Sequence, residues 1–522
     1  MNKKLPVGVQ SFGKMIRQGY IYVDKTQYIY NMLSSGSQYY FLSRPRRFGK
    51  SLLISTLKEL FNGNRELFEG LWIHDKVEWT TYPVIHIDFS NLNYETPDQL
   101  KNSLSRMLDR CAEEYKVSID RDSDYKLKFA ELIRNLSAIN PVVILVDEYD
   151  KPIIDMVDRR DVALMNRDIL RNFYSTIKGS DEYLRFAFLT GVSKFSRVSV
   201  FSGLNNLRDI TLSKDFSTLL GYSEEEIHLY FQDRIEAASD HLNAEPEELM
   251  KTIAGWYNGY SWDGDRFVYN PFSMLNFFQE FRFDNYWFSS GTPSMLVKLI
   301  ADNNIPIPTL EDMVANSTVL DSFDIENMEV ASLLFQTGYL TIKNTSGPPD
   351  NRIFHLSFPN REVKESFHQH LLKDFTHQQF SQSLRILTQL KRTLDEDNLE
   401  DFFGTITSLF SSIPYNIFIA RKEAYYHTVI YLALTLLEAE IHAEVQTNNG
   451  RLDAVIHTDT SIYIMEFKID SPTQALSQIK EKQYHQKYLP TNKEIKLVGV
   501  GFNPDTRNIS GYEVEKVSPY RI

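Results

Sequence analysis

The sequence predicts an α/β fold in which helices cover both faces of a parallel sheet. Two observations over roughly the first 200 residues predict it: short apolar runs rich in β-branched and aromatic residues, and amphipathic stretches between those runs. The runs are "YYFLS" (39–43), "PVIHIDF" (83–89), "PVVILVDEY" (141–149) and "LRFAFLTGV" (184–192). The helical patterns between them include "KSLLISTLKELF" (50–61) and "PDQLKNSLSRMLDRCAEEY" (97–115). Strands that alternate with helices form parallel sheets buried on both faces, so a layered core is expected.

The composition is that of a globular chain with several domains. The 522 residues are 42% apolar, 13% aromatic and 24% charged, which suits about two to four packed domains. The formal net charge of −13 argues against a protein that coats nucleic acid through bulk electrostatics, but it leaves room for a local site. The lone cysteine, Cys111, excludes an internal disulfide and suits a reducing compartment.

No stretch of the sequence predicts secretion or a membrane span. The first residues, "MNKKLPVGVQSFGKMIRQG", are basic but lack the apolar core of a signal peptide. The most apolar helical stretch, 424–437, is interrupted by His427 and Thr428 and is too short to cross a bilayer. We therefore expect a cytoplasmic protein without a membrane partner.

The stretch "SRPRRFGKS" (43–51) lies after an apolar strand and before a helix, where a phosphate-binding loop would lie. The usual pattern is G-x-x-x-x-G-K-[ST], and Arg44 takes its first glycine position, which is tolerated if φ stays negative. Lys50 would reach the β- and γ-phosphates of ATP, and the Ser51 hydroxyl would ligate Mg²⁺. Backbone N–H groups at the helix start would surround the phosphates. The predicted ATP-binding residues of this stretch are Arg46, Arg47, Phe48, Gly49, Lys50, Ser51 and Leu52.

A second signal agrees with this loop. The segment "VVILVDE" (142–148) is an apolar strand that ends in two acids, at the sheet edge where α/β sites form. Asp147 would hold Mg²⁺, and Glu148 would polarise the attacking water. At the end of the next strand, Thr190 or Ser193 would orient water against the γ-phosphate, with simple capping of the strand end as the alternative.

Five segments of the first part of the chain are similar to motifs of a known family. They are "YVDKT" (22–26), "RPRRFGKSL" (44–52), "LVDEYDKPI" (145–153), "LTGVSKFS" (189–196) and "GLNNLRDIT" (203–211). In combination they resemble the AAA-ATPase-like domain of bacterial proteins that often carry a C-terminal nuclease-like module. The RPRRFGK form is usual in that family. The resemblance covers roughly residues 5–280 and implies a P-loop core followed by a helical lid or winged-helix-like segment. "YVDKT" either lines the nucleotide base pocket or caps a helix through Asp24 or Thr26.

The string "GRLDAVIHTDTSIYIMEFK" (450–468) predicts a hairpin with its turn near 459–460. Because strand residues two apart share a face, Glu466 and Lys468 project together while Phe467 packs the other way. The same hairpin brings Asp453 opposite Glu466. Two metal-holding carboxylates beside a lysine suit a Mg²⁺-dependent phosphodiesterase, in which the metal activates water. An exposed, salt-bridged hairpin is the structural alternative.

A helix (421–438), a hairpin (452–468) and a second helix (472–489), in this order, resemble the PD-(D/E)XK nuclease superfamily over about residues 410–520. The matching positions are Asp453, Glu466, Lys468, Gln478 and Tyr484. The resemblance implies catalytic roles for Asp453, Glu466 and Lys468, with the two acids as metal ligands. Glu423, at the start of the preceding helix, is predicted as a further metal ligand, with a charge that stabilises the helix start as the alternative.

The predicted organisation has four parts. They are a P-loop AAA-ATPase-like core (1–212), a helical lid or winged-helix-like segment (213–290), a helical connecting region (291–395) and a restriction-endonuclease-like α/β domain (396–522). The first hypothesis is an ATP- and Mg²⁺-dependent P-loop hydrolase coupled to a metal-dependent nuclease that acts on DNA or RNA. The second is a nucleotide-switched regulator that binds nucleic acid or protein without cutting. In a third, the phosphate loop is only structural. The sequence leaves a homo-oligomer open.

Overall fold

The structure is a computed structural model. It describes residues 3–194, 200–201, 206–288, 296, 300, 305, 307–320, 329–348, 351–376, 380–413, 423–437, 440–447, 450–491 and 493–517, with backbone alone for 380, 423–427, 440–447 and 450–452. Two compact units divide the chain: Met1–Gly291 with Met313–Val363, and Thr292–Asp312 with Lys364–Ile522. The four-part division proposed above stays a prediction.

Five parallel strands form the main sheet of the first unit. They are β1 (Tyr39–Ser43), β2 (Val84–Asp88), β3 (Val142–Asp147), β4 (Leu184–Gly191) and β5 (Arg208–Asp209). Their spatial order is β2-β3-β4-β1-β5, and all neighbours are parallel. The four apolar runs of the sequence form four of these strands, and the predicted α/β fold is confirmed. Since β4 lies between β1 and β3, the carboxyl ends of these three strands meet at one edge.

Helices alternate with these strands along the chain, and both helical patterns quoted from the sequence, 50–61 and 97–115, form helices. The helices are α1 (Phe12–Arg17), α2 (Thr26–Ser34), α3 (Lys50–Phe61), α4 (Pro97–Tyr115), α5 (Tyr125–Ser137), α6 (Lys151–Ile154) and α7 (Arg160–Gly179), with short 3-10 turns at Arg65–Phe68, Phe89–Asn91 and Asp181–Tyr183. The start of α4 shows why its bounds were predictable. Thr96 and Gln99 form a capping box, Pro97 takes the first helical position, and Lys116 ends the helix with a φ of 56°.

The rest of the first unit is a helical group with a small antiparallel sheet. Its helices are α8 (Glu224–Leu242), α9 (Pro246–Tyr257), α10 (Pro271–Glu280), α11 (Ser317–Leu320) and α12 (Val330–Thr337), and its strands are β6 (Met313–Asn316), β7 (Thr341–Ser346) and β8 (Ile353–Ser357), in the order β6-β8-β7. A 3-10 turn lies at Lys214–Phe216. The aromatic segment 255–273 contributes the buried side chains Tyr257, Tyr260 and Trp262.

The helical connecting region predicted for 291–395 differs from the structure, because β6, β7 and β8 lie within that range. β8 alternates partly exposed and buried side chains over five residues, whereas β7 buries only the first two of its six. A pattern this short gives little periodicity from which a strand can be predicted. Residues 347–352 connect β7 to β8, and of these 349–350 lie outside the described part of the chain.

The second unit contains a five-stranded mixed sheet. The strands of this sheet are β9 (Glu440–Thr447), β10 (Gly450–His457), β11 (Ser461–Ile469), β12 (Glu494–Asn503) and β13 (Asn508–Val517). The remaining helices are α13 (Arg361–Thr376), α14 (Phe380–Asp395), α15 (Leu399–Ser411), α16 (Glu423–Thr435) and α17 (Pro472–Glu481). Two 3-10 turns lie at Ile307–Glu311 and Tyr484–Tyr488. The order of the strands is β13-β12-β11-β10-β9, with β11 and β12 parallel and the other pairs antiparallel.

Two details of this unit differ from the sequence prediction. The helix expected over 472–489 ends at Glu481 and gives way to a 3-10 turn, because Gln483 adopts a left-handed φ of 53°. β13 was not predicted. Throughout the part of the chain that the structure describes, every helix is too short or too polar to cross a bilayer.

Candidate functional site

The predicted phosphate loop joins β1 to α3. Gly49 has a φ of 96°, which glycine adopts without the steric cost of a Cβ, and α3 begins at the next residue. Arg47 also takes a positive φ, of 67°, whereas Arg44 does not. The condition for an arginine at the first glycine position is therefore met. The first N–H groups of α3 lie at the loop, as anion binding at a helix start requires.

Lys50 lies close to several carboxylates. Its side chain is buried, and Nζ donates hydrogen bonds of 2.9 Å to the carbonyl oxygens of Arg44 and Pro45. Burial lowers the pKa of Lys50, while the charges of nearby acids, Asp147 first and then Glu148 and Asp150, oppose that shift. The loop lysine and the acids at the end of β3 thus share one electrostatic environment.

Asp147 and Ser51 come together from β3 and α3. The Ser51 hydroxyl hydrogen-bonds the Asp147 carboxylate, and burial raises the pKa of Asp147. Asp147 is only 4% exposed, but the Glu148 side chain is 33% exposed and lies 3.9 Å from Lys151. Glu148 has a φ of 52°, so the backbone turns sharply between the two acids. The result is a buried acid beside a serine and a second acid that reaches solvent.

Ser193 and Asp150 meet just beyond β4. Asp150 is buried, and its carboxylate accepts hydrogen bonds from the N–H groups of Val192 (3.1 Å) and Ser193 (2.6 Å). The Ser193 Oγ is buried and has no hydrogen-bond partner among the described residues. Burial raises the pKa of Asp150 to about 6. A Cβ at Gly191 would lie 2.3 Å from the Asp150 carboxylate, so only glycine fits there.

Sequence reasoning did not single out Asp150. The signal was available in "VDEYD", whose final acid follows the two predicted ones, but its partners come from the end of another strand. Thr190, the alternative to Ser193 in the sequence, donates its hydroxyl to the Leu42 carbonyl at 2.7 Å. That bond ties β4 to β1.

Arg44 is a fully buried anchor of the loop. Its guanidinium donates to the carbonyl oxygens of Ser43 (2.8 Å), Thr211 (2.9 Å) and Phe216 (3.3 Å). It also lies 3.9 Å from the ring centre of Trp262, a distance at which a cation and an aromatic face attract. Burial lowers the pKa of Arg44 to about 9. The residue that replaces the usual glycine thus fixes the loop against two later segments.

The other loop side chains contact the same later segments. The Phe48 ring packs against Tyr260 and Trp262, with ring centres 4.7 and 5.4 Å apart. The Arg47 guanidinium lies 4.8 Å from the Phe272 ring centre. Arg46 keeps its side chain half exposed, and its carbonyl accepts a 2.9 Å bond from the indole of Trp287.

The "YVDKT" segment lies beside the loop, and the structure has a feature that matches each of its two predicted roles. Val23 and Lys25 line an apolar pocket together with Phe48 and Leu52. Asp24 accepts hydrogen bonds from the N–H and the hydroxyl of Thr26, the first residue of α2. The segment therefore borders the loop and also supports a helix start.

In the second unit, β10 and β11 form the predicted hairpin. Ala454 pairs with Met465, which puts Asp453 beside Glu466. The Asp453 carboxylate accepts a 2.9 Å bond from the N–H of Phe467. Phe467 is buried on the other face of the strand, as the two-residue period predicts.

Glu466 is the centre of this second site. Glu466 is 2% exposed. Its Oε1 accepts a hydrogen bond from the Gln478 side chain and lies 3.6 Å from Lys468 Nζ. Burial, followed by the charge of Asp453, raises the pKa of Glu466 to about 8. Tyr484 hydrogen-bonds Gln478 and interacts electrostatically with Glu466. The structure thus brings together two acids, the lysine, the glutamine and the tyrosine.

One predicted metal ligand of this site falls outside the described side chains. Glu423 begins α16, whose backbone contacts β9 and β11, but its side chain lies outside the described part. The same holds for His427.

Comparison with known proteins finds a family match in each of two segments of the chain. Residues 6–201 match the family described as predicted AAA-ATPase, and residues 421–511 match the PD-(D/E)XK nuclease superfamily. A relative from Azotobacter chroococcum mcd 1, named "Uncharacterized protein in vnfD 5'region", is 39% identical over 530 residues, covering 99% of each chain. The chain belongs to the AAA-ATPase-like family with a C-terminal PD-(D/E)XK nuclease-like module. The resemblance drawn from the sequence motifs is confirmed.

ATPase-like and PD-(D/E)XK domains generally use a nucleotide and Mg²⁺. The residues of this AAA-ATPase-like protein fit a bound nucleotide and a bound metal ion. Ser51 and Asp147 offer a hydroxyl and a carboxylate at the phosphate loop. Glu466 Oε2 is buried without a hydrogen-bond partner among the described residues, which suits a metal ligand. The described residues contain no group of three or more His, Cys, Asp or Glu that could hold a metal ion. Mg²⁺ is usually held by one or two carboxylates, with water and substrate phosphates completing its ligands.

Proposed function

We propose that this protein binds and hydrolyses ATP at the loop between β1 and α3, and that its C-terminal module cleaves nucleic acid with a divalent metal. The observation that carries the proposal is the convergence of two sets of side chains, one in each unit. Lys50, Ser51 and Asp147 form the first set, and Asp453, Glu466 and Lys468 form the second.

The first set supports ATP hydrolysis, in which the neighbouring acids Asp147 and Glu148 have different roles. Lys50 would bind the β- and γ-phosphates, and Ser51 with Asp147 would hold Mg²⁺, which neutralises phosphate charge. Glu148, one-third exposed beside the buried Asp147, would polarise the attacking water. Ser193, held through its N–H by Asp150, would direct its free hydroxyl at that water.

The second set supports a phosphodiesterase. A divalent metal would activate water and stabilise the charge that develops on the phosphate. Asp453 and Glu466 would hold it, with Glu423 as a further ligand. Lys468 would stabilise the negative charge at phosphorus, and Gln478 keeps Glu466 in place through a hydrogen bond.

The ATPase proposal is tested by two variants of the full chain. Lys50→Ala should abolish binding of ATP, since it removes the cation that contacts the phosphates. Glu148→Gln should keep ATP binding and lower the hydrolysis rate by roughly 100-fold or more, as loss of a general base does. Glu66→Gln, an exposed acid of the same unit, is the matched control. ATP binding that is unchanged in Lys50→Ala would mean that the loop is structural.

The nuclease proposal is tested with Mn²⁺ or Mg²⁺ on duplex DNA, single-stranded DNA and RNA. Lys468→Ala should reduce cleavage by roughly 100-fold, because a transition-state charge loses its partner. Lys516→Ala serves as the matched control, since Lys516 is an exposed lysine of β13 that pairs with Glu494 at 2.9 Å. Equal cleavage by the Lys468→Ala and parent chains would remove the nuclease function from this site. Binding without cleavage in the parent chain would favour the nucleotide-switched regulator.

A further inference from the structure

A second groove lies in the first unit at the free edge of the main sheet. Its volume is about 380 Å³, and it is bordered by β2, α3 and α4. β2 is the terminal strand of the sheet. Lys50, Ser51, Asp147 and Glu148 are not among the residues that line it. The groove is therefore separate from the proposed ATP site, and its volume falls within the roughly 300–1,000 Å³ typical of small-molecule pockets.

One face of α4 is turned to this groove. It contributes Ser103, Arg106, Met107, Arg110, Cys111 and Glu114, which recur at the spacing of a single helical face. An adjacent face packs into the core through Leu100, Leu104, Leu108 and Ala112. Arg106, Arg110 and Glu114 of the groove face are exposed and are not part of that core.

The groove has more positive charge than its own acids balance. Lys58, Arg106 and Arg110 line it, and in the part of the chain that the structure describes none of these three side chains forms a hydrogen bond or ion pair. Of the two acids that line it, Asp88 already accepts hydrogen bonds from the N–H and the hydroxyl of Ser90 and from the side-chain amide of Asn91. Arg106 and Arg110 stand one helical turn apart, where like charges destabilise a helix. A bound anion would reverse that cost.

The uncharged lining suits a planar polar group beside the anion. The rings of His86 and Tyr115 and the amides of Asn62, Asn91 and Asn93 border the same volume. His86 Nε2 is buried and lacks a hydrogen-bond partner among the described residues. Aromatic faces with amide donors and acceptors are the groups that hold a heterocyclic base.

We propose that this groove binds a phosphorylated small molecule of about mononucleotide size, with Arg106 and Arg110 on its phosphoryl group and His86 near its uncharged part. Arginine suits this role because its planar group of donors matches phosphate oxygens. The groove shares α3 with the phosphate loop, and Asp88 of β2 pairs in register with Asp147. The site is distinct from the proposed ATPase and nuclease sites.

The test uses the full chain with Lys50→Ala, so that the phosphate loop does not contribute to binding. AMP, inorganic pyrophosphate and a ten-nucleotide single-stranded DNA are titrated in separate calorimetry experiments. Adding Arg106→Gln and Arg110→Gln should raise the Kd for AMP or pyrophosphate by about tenfold or more, since each arginine gives a charge-assisted contact. Lys58→Gln, tested separately, should weaken binding in the same direction.

The matched control removes two positive charges outside the groove, through Lys126→Gln and Arg134→Gln on exposed positions of α5. It should leave the Kd unchanged. The proposal is overturned if neither AMP nor pyrophosphate binds, if the groove and control variants weaken binding equally, or if only the single-stranded DNA binds. Each of these results is independent of whether the chain hydrolyses ATP.

Discussion

At the scale of single residues, Arg44 shows how a substituted loop position becomes a structural anchor. A glycine at this position would remove three hydrogen bonds to carbonyl oxygens and the contact with Trp262. We predict that Arg44→Gly lowers the free energy of unfolding by about 2–4 kcal/mol, because buried carbonyl groups lose a charged partner. Although this change restores the usual motif, ATP affinity should fall. Urea unfolding and ATP titration measure the two effects.

Arg47→Gly is the matched control for this prediction. Arg47 already has a φ of 67°, which glycine adopts at no steric cost, and it loses only the contact with the Phe272 ring. Its unfolding free energy should change by less than about 1 kcal/mol. If Arg44→Gly is as stable as Arg47→Gly, Arg44 does not anchor the loop.

The same residue shows which parts of the sites were predictable. Lys50, Ser51 and Asp147 were predicted as residues of the candidate ATP site from local patterns. A motif before a helix, and acids after a strand, can be recognised from the neighbouring residues alone. The role of Arg44 depends on Thr211, Phe216 and Trp262, which lie far along the chain. Asp150 was missed for the same reason. Tertiary partners of a residue leave no local pattern in a single sequence.

At the scale of elements, the start of α13 belongs to the first unit, where one buried carboxyl group links it to two other segments of that unit. Glu362 accepts hydrogen bonds from the Ser273 hydroxyl of α10 (2.7 Å) and from the N–H of Trp287 (2.6 Å). Burial is the largest cause that raises the pKa of Glu362 to about 8, and the nearby charge of Asp284 acts in the same direction. This acid keeps its proton in the folded protein at neutral pH.

The shift predicts a particular pH dependence of stability. Between about pH 4.5 and 8 the folded chain holds a proton on Glu362 that the unfolded chain releases, so the free energy of unfolding falls as pH rises. Glu362→Gln should remove that contribution, which amounts to roughly 2 kcal/mol between pH 6 and 8. Urea unfolding of both chains at several pH values measures it. Glu248→Gln, at an exposed acid of α9, should show the same dependence of the unfolding free energy on pH as the parent chain. If Glu362→Gln also shows that same dependence, the prediction is contradicted.

The elements themselves were predictable where their patterns were long. The bounds of α3 and α4 follow from periodicity and caps, and β1 to β4 from apolar runs. The small sheet β6-β8-β7 was missed because each strand is short and β7 turns polar side chains outward. β13 was missed because most of its side chains are partly exposed, which leaves no apolar run.

At the scale of the whole molecule, the first unit is built from two stretches of chain separated in sequence. Residues 313–363 pack directly on the segment that follows the main sheet. Thr341 exchanges hydrogen bonds with the backbone of Ser261, at 2.7 and 3.0 Å. A Cβ at Gly259 would lie 2.1 Å from the Pro359 carbonyl oxygen, and a Cβ at Gly338 would lie 2.7 Å from Pro45 of the phosphate loop. At Gly259 and Gly338 the backbone therefore packs too closely on its neighbours to admit a side chain.

This arrangement predicts how the first unit responds to truncation. A chain of residues 1–363 should unfold cooperatively and bind ATP, because it keeps every contact described for that unit. A chain of residues 1–291 should bind ATP at least about tenfold more weakly and unfold at lower urea concentration, since Trp287 loses Glu362, and Ser261 and Pro45 lose their partners. Both chains are compared by urea unfolding and by titration with a fluorescent ATP analogue. Equal urea midpoints and equal affinities would show that residues 313–363 do not support the phosphate loop. A loss in the shorter chain alone would show that the ATP site depends on a segment more than 250 positions away in sequence, beyond the reach of any local motif.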